Sequence, residues 1–546
     1  MSIQWVQGEG QARRCPVCRE AGPKTVVLAT EHVLAGWDRV TLLRCSCGAA
    51  FLAELEAPDY ATAGAHGSEY HVEQAFGFDP VAPVLLRLPP HSVRRCLDVG
   101  CAFGLMLDFA RFAFGWEVVG VDPSSLAPEG SRALGLPIVQ ACLSSALDLG
   151  REPFDLIICS EVLEHVADPH VLLAAIGERL SPQGLLVLTT PNLEGVHEGA
   201  APGDVIRALS PGLHLVLYDG ALLARVLEAA GFAAVRMETS PTTLVAMAAR
   251  SPQVLERIAP CCADRSPLLR YYDWRAEGSP PSSALASGFA YRHFRDCVNG
   301  GDHAAAAVSR QRLAKLYRQR YGIDLERPAT SQAGAATEAG GSFNLACAWY
   351  FSGILELNGH RRPERAAACF AAAAATAEAI LERLPTAVLD GETEAILLRS
   401  RVLLPAALAA SDADGALREL RALGELAERG EVARDACEEA RHRAFAGLVH
   451  AGAFGAAEQL APGVAAQLDS GAARAQRPWS IVELEASYCL AMLALQQGRA
   501  AEAADGFGGV LRRLEQTGGE AAALLHGPAS YHEGLALQRA AAGVPR

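Results

Sequence analysis

The chain has 546 residues, half of them apolar, and a formal net charge of −14 at pH 7. Such a length exceeds a single hydrophobic core and implies two or three domains, while the acidic balance argues against a general affinity for nucleic acid. No apolar run is long enough to span a bilayer, and the opening MSIQWVQGEG lacks the basic stretch and apolar core of a signal peptide, so the expected compartment is the cytosol, with most of the 15 cysteines reduced.

In chain order the first motif is a set of two cysteine pairs, Cys15 and Cys18 in CPVC and Cys45 and Cys47 in CSCG. The stretches between them, VVLATEHV and RVTLLRC, read as short strands. Two thiolate pairs joined by a hairpin offer four soft ligands in a tetrahedron, which suits a structural zinc. The second pair is tighter than C-x-x-C, and His32 is an alternative ligand in its place. A ribbon that has lost its metal is the plainer reading. Residues 1–55 are therefore expected to form a zinc-ribbon-like domain, held by metal because so short a stretch buries little core. Residues 56–90 carry Tyr60, Tyr70 and His71 and read either as a lid beside a site or as a plain linker.

From residue 91 the pattern is strand, helix, strand, helix, as in a doubly wound parallel sheet. Strands are expected at Arg95–Val99, Glu117–Val121, 137–140, Phe154–Ser160 and 185–190. A helix at 219–230 stops at Gly231, and strands near 233–238 and 243–248 close the sheet as a hairpin. The first strand runs into CLDVGCAFG, whose Gly100, Ala102 and Gly104 let the backbone approach a ligand ahead of the helix Leu105–Phe114. The second strand ends in Asp122, a carboxylate suited to a ribose diol. The fourth runs into SEVLEHVADP, and the fifth is LLVLTT. The turn lacks the G-x-G-x-x-G of dinucleotide enzymes.

In the order and spacing of these motifs the chain resembles the class I S-adenosylmethionine-dependent methyltransferases over residues 92–250. The resemblance implies a Rossmann-like, seven-stranded α/β domain across 91–250. It also implies a cofactor site made by Asp98, Gly100, Ala102, Gly104, Asp122, Cys142, Leu143 and Ser160. Cys142 and Leu143 would flank the adenine, where many relatives carry an acid. A zinc ribbon ahead of such a domain resembles the sugar and small-molecule methyltransferases of bacterial biosynthetic clusters.

Methyl transfer needs the acceptor aligned and, for a hydroxyl, its proton removed. Glu161, Glu164 and His165 are spaced to share one face of a helical turn, and His214 follows in SPGLHLVLYD. This set resembles the metal site of small-RNA 2′-O-methyltransferases and of the O-methyltransferases of ubiquinone synthesis. The resemblance implies a divalent ion such as Mg²⁺ or Mn²⁺ on Glu161, Glu164, His165 and His214. Two alternatives stand beside it: His214 as a lone general base, or a purely structural set.

Residues 251–330 read as a mixed, aromatic bridging segment, and 331–342, rich in Ala, Gly, Ser and Thr, as a linker. Residues 343–546 show helical periodicity with a degenerate tetratricopeptide-like repeat. Its marks are Ala366 and Phe370, Ala416 and Leu420, Gly452 and Ala457, and Gly498, Ala503 and Phe507. The expected function is O-methylation of a sugar, glycan or secondary-metabolite hydroxyl, with the repeats docking a protein partner and no membrane involved. RNA 2′-O-methylation and a non-catalytic adaptor are the competing readings.

Overall fold

The computed structural model describes residues 3–30, 39–54, 67–383, 391–473, 479–517 and 520–542, with residues 9, 11, 76, 201, 211, 263, 338–341 and 343 excepted. His32 and Tyr60 lie outside the described residues. Two units divide between Asp296 and Cys297, and not at 331–342.

The first unit begins with strands β1 (Ile3–Gly8), β2 (Ala12–Arg14), β3 (Ala21–Pro23), β4 (Thr25–Thr30), β5 (Val40–Arg44) and β6 (Ala50–Leu52). Helices α1 (Gly67–Gln74) and α2 (Phe78–Leu85) follow. Then strands and helices alternate: β7 (Arg95–Val99), α3 (Leu105–Phe114), β8 (Glu117–Val121), α4 (Leu126–Leu134), β9 (Ile138–Val139), β10 (Phe154–Ser160), α5 (Pro169–Arg179), β11 (Leu180–Pro191), α6 (Pro202–Leu209), β12 (Val216–Leu217), α7 (Gly220–Ala229), β13 (Ala234–Thr239) and β14 (Thr243–Ala249). Helices α8 (Pro252–Glu256), α9 (Ser266–Gly278) and α10 (Ala284–Asn299) complete it, the last running across the boundary.

The main sheet has seven strands in the order β13-β14-β11-β10-β7-β8-β9. β7 is buried at every position and lies parallel between β8 and β10, as the centre of a sheet covered on both faces must. β14 is antiparallel to both β11 and β13, so the expected closing hairpin is present and the sheet is mixed. The third strand is shorter than expected and the fifth longer.

The N-terminal strands are not a separate domain. β1, β4, β5 and β6 form a five-stranded sheet whose last member is β12, with Val216 paired to Phe51 and Leu217 to Ala50. One apolar core joins Leu28, Leu43 and Phe51 to Leu163, Leu172, Leu215 and Leu217. So small a sheet buries little on its own and borrows apolar surface from its neighbour.

The bridging segment also resolves into packed structure. α9 docks on α3 through a fully buried carboxylate, Asp108, which accepts hydrogen bonds from Tyr271 Oη (2.9 Å), Arg111 (3.2 Å) and Arg275. Phe112 stacks on Trp274 at 4.6 Å, and Phe78 lies within 6.5 Å of Phe109, Tyr271, Tyr272 and Phe289. Arg292 of α10 donates to the carbonyls of Glu73 (2.7 Å) and Gln74, which caps the end of α1.

The second unit is helical: α11 (His303–Tyr321), α12 (Leu345–Ile354), α13 (Pro363–Arg383), α14 (Glu392–Leu408), α15 (Ala413–Glu428), α16 (Arg434–His450), α17 (Phe454–Ala473), α18 (Ile481–Gln496), α19 (Ala500–Thr517) and α20 (Glu520–Ala542). The expected linker is corrected in part, because Thr330–Thr337 winds into 3₁₀ turns against α13. Its alanines favour helix as readily as they suit a linker. Consecutive helices from α12 to α19 pack in pairs. Ala366, Ala416, Ala457 and Ala503 are fully buried, which lets paired helices approach, and Phe370 and Phe507 are buried beside them. Among the described residues no helix is long and apolar enough to cross a membrane.

Asp108→Ala should strip Arg275 and Tyr271 of a buried partner and destabilise the first unit by about 3–5 kcal/mol. Urea unfolding followed by Trp fluorescence measures this loss, and Asp108→Asn should recover part of it.

Candidate functional site

The carboxyl ends of β7, β8 and β10 meet along one edge, where ligands bind in open α/β sheets. After β7 the chain turns through Gly100 (φ 75°), Ala102 (φ 46°) and Gly104 (φ 84°), all left-handed. A Cβ on Gly100 would lie 2.2 Å from Val162 Cγ2, so no larger residue fits there. The Ala102 N–H donates to Asp122 Oδ2 (2.8 Å), while the Ser124 N–H and hydroxyl both donate to Oδ1 (2.8 and 2.5 Å). These bonds lock the carboxylate against the glycine turn. Ala102 holds its left-handed turn without being glycine, helped by that charge-assisted bond.

Asp98 is buried below, and burial together with the Asp122 charge pushes its carboxyl well above the usual range. The Ala141 N–H donates to the Asp122 carbonyl (3.1 Å), which brings the loop of Cys142 and Leu143 to the same edge. Cys142 is exposed, and Leu143 packs on the core. Helix α1 reaches this edge as well: burial lowers His71 to about 4, with the Asp122 charge opposing and the Arg292 charge assisting. At the other end of α1, Gly77 (φ 74°) abuts Ser160, where an added Cβ would lie 2.7 Å from the hydroxyl. Sequence reasoning missed Gly77 and Arg292, which hold α1 in place.

Beyond β10 the chain departs from the expected helical turn. Glu161 is left-handed (φ 55°), and only Leu163–His165 forms a 3₁₀ turn, so Glu161 does not share a helical face with Glu164 and His165. The reason is local: the Glu161 N–H continues the sheet to the Thr189 carbonyl (3.0 Å), and its carboxylate accepts from the Thr189 hydroxyl (2.8 Å). Glu164 is fully buried, and its Oε2 accepts from the Thr190 hydroxyl (2.9 Å). Its Oε1 has no hydrogen-bond partner among the described residues. Burial raises both carboxyls, and the Glu161 charge raises Glu164 further. Thr189 and Thr190, also missed, are buried polar residues directly after the apolar run Leu185–Leu188, and that contrast was the available signal.

His165 and His214 come together, with ring centroids 4.8 Å apart. His165 Nδ1 bonds the Leu213 carbonyl (2.9 Å), and His214 Nδ1 bonds the Ala208 carbonyl (2.7 Å). With Nδ1 as the donor, Nε2 keeps the ring's lone pair. Burial holds His165 near about 4, and burial with the neighbouring His165 holds His214 near about 3. One ligand atom each from Glu164, His165 and His214 lies within 4.8 Å of the others; Glu161 stands outside that group.

The second cluster is the four cysteines, whose Sγ atoms also lie within 4.8 Å of one another. Cys15 and Cys47 are 3.7 Å apart, and Cys18 and Cys45 are 3.6 Å apart. The tight C-x-C turn is accommodated by Gly48 at φ 102°. Despite burial, hydrogen bonds from the Cys47 backbone and the neighbouring sulfurs bring Cys45 down to about 7, whereas burial pushes Cys15 up.

Residues 73–236 match the family model described as a methyltransferase domain. The ubiquinone biosynthesis O-methyltransferase of Rhizobium rhizogenes (strain K84) is 34% identical over 128 residues, covering 22% of this chain and 49% of that protein. The protein of the same description from Mesorhizobium japonicum is 38% identical over 123 residues, covering 21% and 47%. That from Brucella anthropi is 34% identical over 164 residues, covering 28% and 62%. The chain thus spans about half the length of the first of these relatives. Among solved structures, an O-methyltransferase family protein from Burkholderia thailandensis aligns with 36% of this chain and 65% of that one, at 15% identity and a TM-score of 0.31. The chain carries an S-adenosylmethionine-type methyltransferase domain, built on the mixed seven-stranded sheet.

Asp122 shapes the turn through the Ala102 and Ser124 N–H groups and stands at the position where a ribose-binding carboxylate is expected. Asp122→Ala should weaken S-adenosylmethionine binding by at least about tenfold, measured by isothermal titration calorimetry on a variant whose circular dichroism matches wild type.

Proposed function

We propose that this protein is an S-adenosylmethionine-dependent O-methyltransferase acting on a small-molecule hydroxyl, with Glu164, His165 and His214 holding a divalent ion beside the cofactor cradle. The observation that carries this reading is the buried Glu164 Oε1, which has no hydrogen-bond partner among the described residues and lies 3.9 Å from His165 Nε2, with His214 in the same group. A buried carboxyl crowded by a second acid is costly to ionise alone, and a cation held also by two neutral imidazoles can take the place of its proton. Mg²⁺ or Mn²⁺ fits that donor set. When bound, such an ion lowers the pKa of an acceptor hydroxyl.

The remaining work falls to the chain. The Gly100–Gly104 turn and Asp122 hold the cofactor. Ser160 ends β10 between the cradle and the Glu164 group, its hydroxyl fixed by Thr189 at 2.7 Å. Thr189 and Thr190 anchor the two glutamates, and the carbonyls of Leu213 and Ala208 fix both imidazole tautomers. Helix α1, carrying Tyr70 and His71, covers the cradle and keeps water from the reacting centre. The curated relatives favour a small-molecule hydroxyl over the sugar or glycan expected from the ribbon. RNA 2′-O-methylation shares the Glu/His set, and the net charge of −14 disfavours it.

The four cysteines fit a structural zinc. At a Zn–S distance of about 2.3 Å, tetrahedral geometry places sulfurs about 3.8 Å apart, close to the distances found here. We read the helical pairs of the second unit as a tetratricopeptide-like surface that docks a protein partner, and the cytoplasm as the compartment.

Turnover of a hydroxylated acceptor should collapse in EDTA and return with Mg²⁺ or Mn²⁺ while zinc stays bound, and His214→Ala should abolish most of it. Elemental analysis should find about one zinc per chain, lost in Cys15→Ser/Cys18→Ser. Because burial keeps both imidazoles neutral, activity should show no limb near pH 6.5. Mn²⁺ affinity should rise with pH, since burial raises the Glu161 and Glu164 carboxyls and the ion must displace the proton they hold. A wild-type rate that is indifferent to EDTA but falls by up to about tenfold per unit of acidification below about pH 6.5 would instead favour a lone histidine base.

A further inference from the structure

His214 sits two residues before β12, and β12 is the edge strand of the N-terminal sheet. The Leu52 N–H donates to the Leu215 carbonyl (2.9 Å), and the Leu215 N–H donates to the Glu164 carbonyl (2.6 Å). A single residue therefore ties the cysteine-bearing sheet to the backbone of Glu164. The knuckles make further ties. The carbonyl of Val17, between Cys15 and Cys18, accepts from His170 Nε2 (2.7 Å). Arg19 pairs with Asp168 (3.4 Å), whose carboxylate caps α5 at the His170 N–H (3.0 Å). Arg225 of α7 donates to the Cys47 carbonyl (2.9 Å). Tyr218, fully buried at the end of β12, feels the charges of both Glu164 and Cys15. The two segments that carry Glu164, His165 and His214 are thus each fastened to a cysteine knuckle, the first through Asp168 and His170 and the second through β12 and Arg225.

We propose that the four-cysteine knuckle is a positioning device for the Glu164–His165–His214 set: cross-linking the cysteines holds β6 and β12 in register and so keeps His214 beside Glu164. The proposal rests on the reading that the cysteines take zinc. β12 has two residues and one ladder partner, too little to hold its own register. The Leu215 N–H on Glu164 and the Leu193 N–H on the Tyr218 carbonyl (2.8 Å) hold its flanks, while its ladder register comes from β6, which follows Cys47 by three residues. Loss of the cross-link should free residues 212–218 and leave the Gly100–Asp122 cradle intact, because β7 and β8 lie in the other sheet.

The test uses the full chain under reducing conditions, with amide hydrogen exchange by mass spectrometry, zinc by elemental analysis, Mn²⁺ binding by electron paramagnetic resonance, and S-adenosylmethionine binding by calorimetry. Cys18→Ser changes the exposed member of the set. It should lose zinc, raise exchange at residues 212–218 by at least about tenfold and weaken Mn²⁺ binding by at least about tenfold. Exchange at 95–104 and cofactor affinity should stay within about twofold. Zinc lost with exchange at 212–218 unchanged overturns the proposal and leaves the zinc reading standing. Wild-type protein without zinc overturns both. If Cys18→Ser also loosens the cradle, Leu52→Pro decides, because it removes the donor to Leu215 and keeps all four thiolates. Zinc retained with exchange raised at 212–218 supports the proposal, and unchanged exchange overturns it.

Discussion

The crowding of carboxyl groups at one edge of a buried sheet is the constraint on which the rest of this structure turns. β7 carries Asp98 near its end, β8 is followed by Asp122, and β10 by Glu161 with Glu164 close behind. All four are held among apolar neighbours, where charge is costly. The chain answers with local donors: the Ala102 and Ser124 N–H groups at Asp122, and the hydroxyls of Thr189 and Thr190 at the two glutamates. Those donors satisfy Asp122 and leave Glu164 Oε1 without a hydrogen-bond partner among the described residues. The two ends of the crevice therefore differ chemically, one carboxylate fully met by backbone and hydroxyl donors and the other not.

Both flanking elements serve that edge. The N-terminal sheet reaches it from one side through β12, and the helices after β14 reach it from the other, where Asp108 anchors α9 and Arg292 caps α1. In each case a polar contact at a helix end or strand edge fixes direction, while aromatic or aliphatic packing supplies most of the area. Buried ionic contacts of this kind, when all partners are present, specify geometry more than they add stability. That is appropriate around a cluster of groups whose relative positions must hold to within about 0.5 Å.

The second unit obeys a different rule. Its helices pair with their sequence neighbours, and the contact positions are small residues with an aromatic beside them, as at Ala366 with Phe370 and Ala503 with Phe507. Such pairwise stacking produces a surface by repetition, without the long-range convergence that the first unit requires.

What the sequence alone determined follows from the same contrast. Strands β7, β8 and β10 were legible to the residue because each is a short apolar run closed by a carboxylate or a glycine, and the glycine turn was legible because only small residues let backbone meet ligand. The four cysteines were legible from spacing. Tertiary structure alone decided the left-handed turn at Glu161, which arises because its N–H completes the sheet with Thr189, a residue 28 positions away. It alone decided that the N-terminal sheet is finished by Val216 and Leu217, since strand pairing over that separation leaves no local pattern. It also decided that Glu164 would keep an oxygen without a hydrogen-bond partner. Local sequence reports which groups a segment offers; only the packed chain settles which of those groups find each other, because burial withdraws water as the alternative partner.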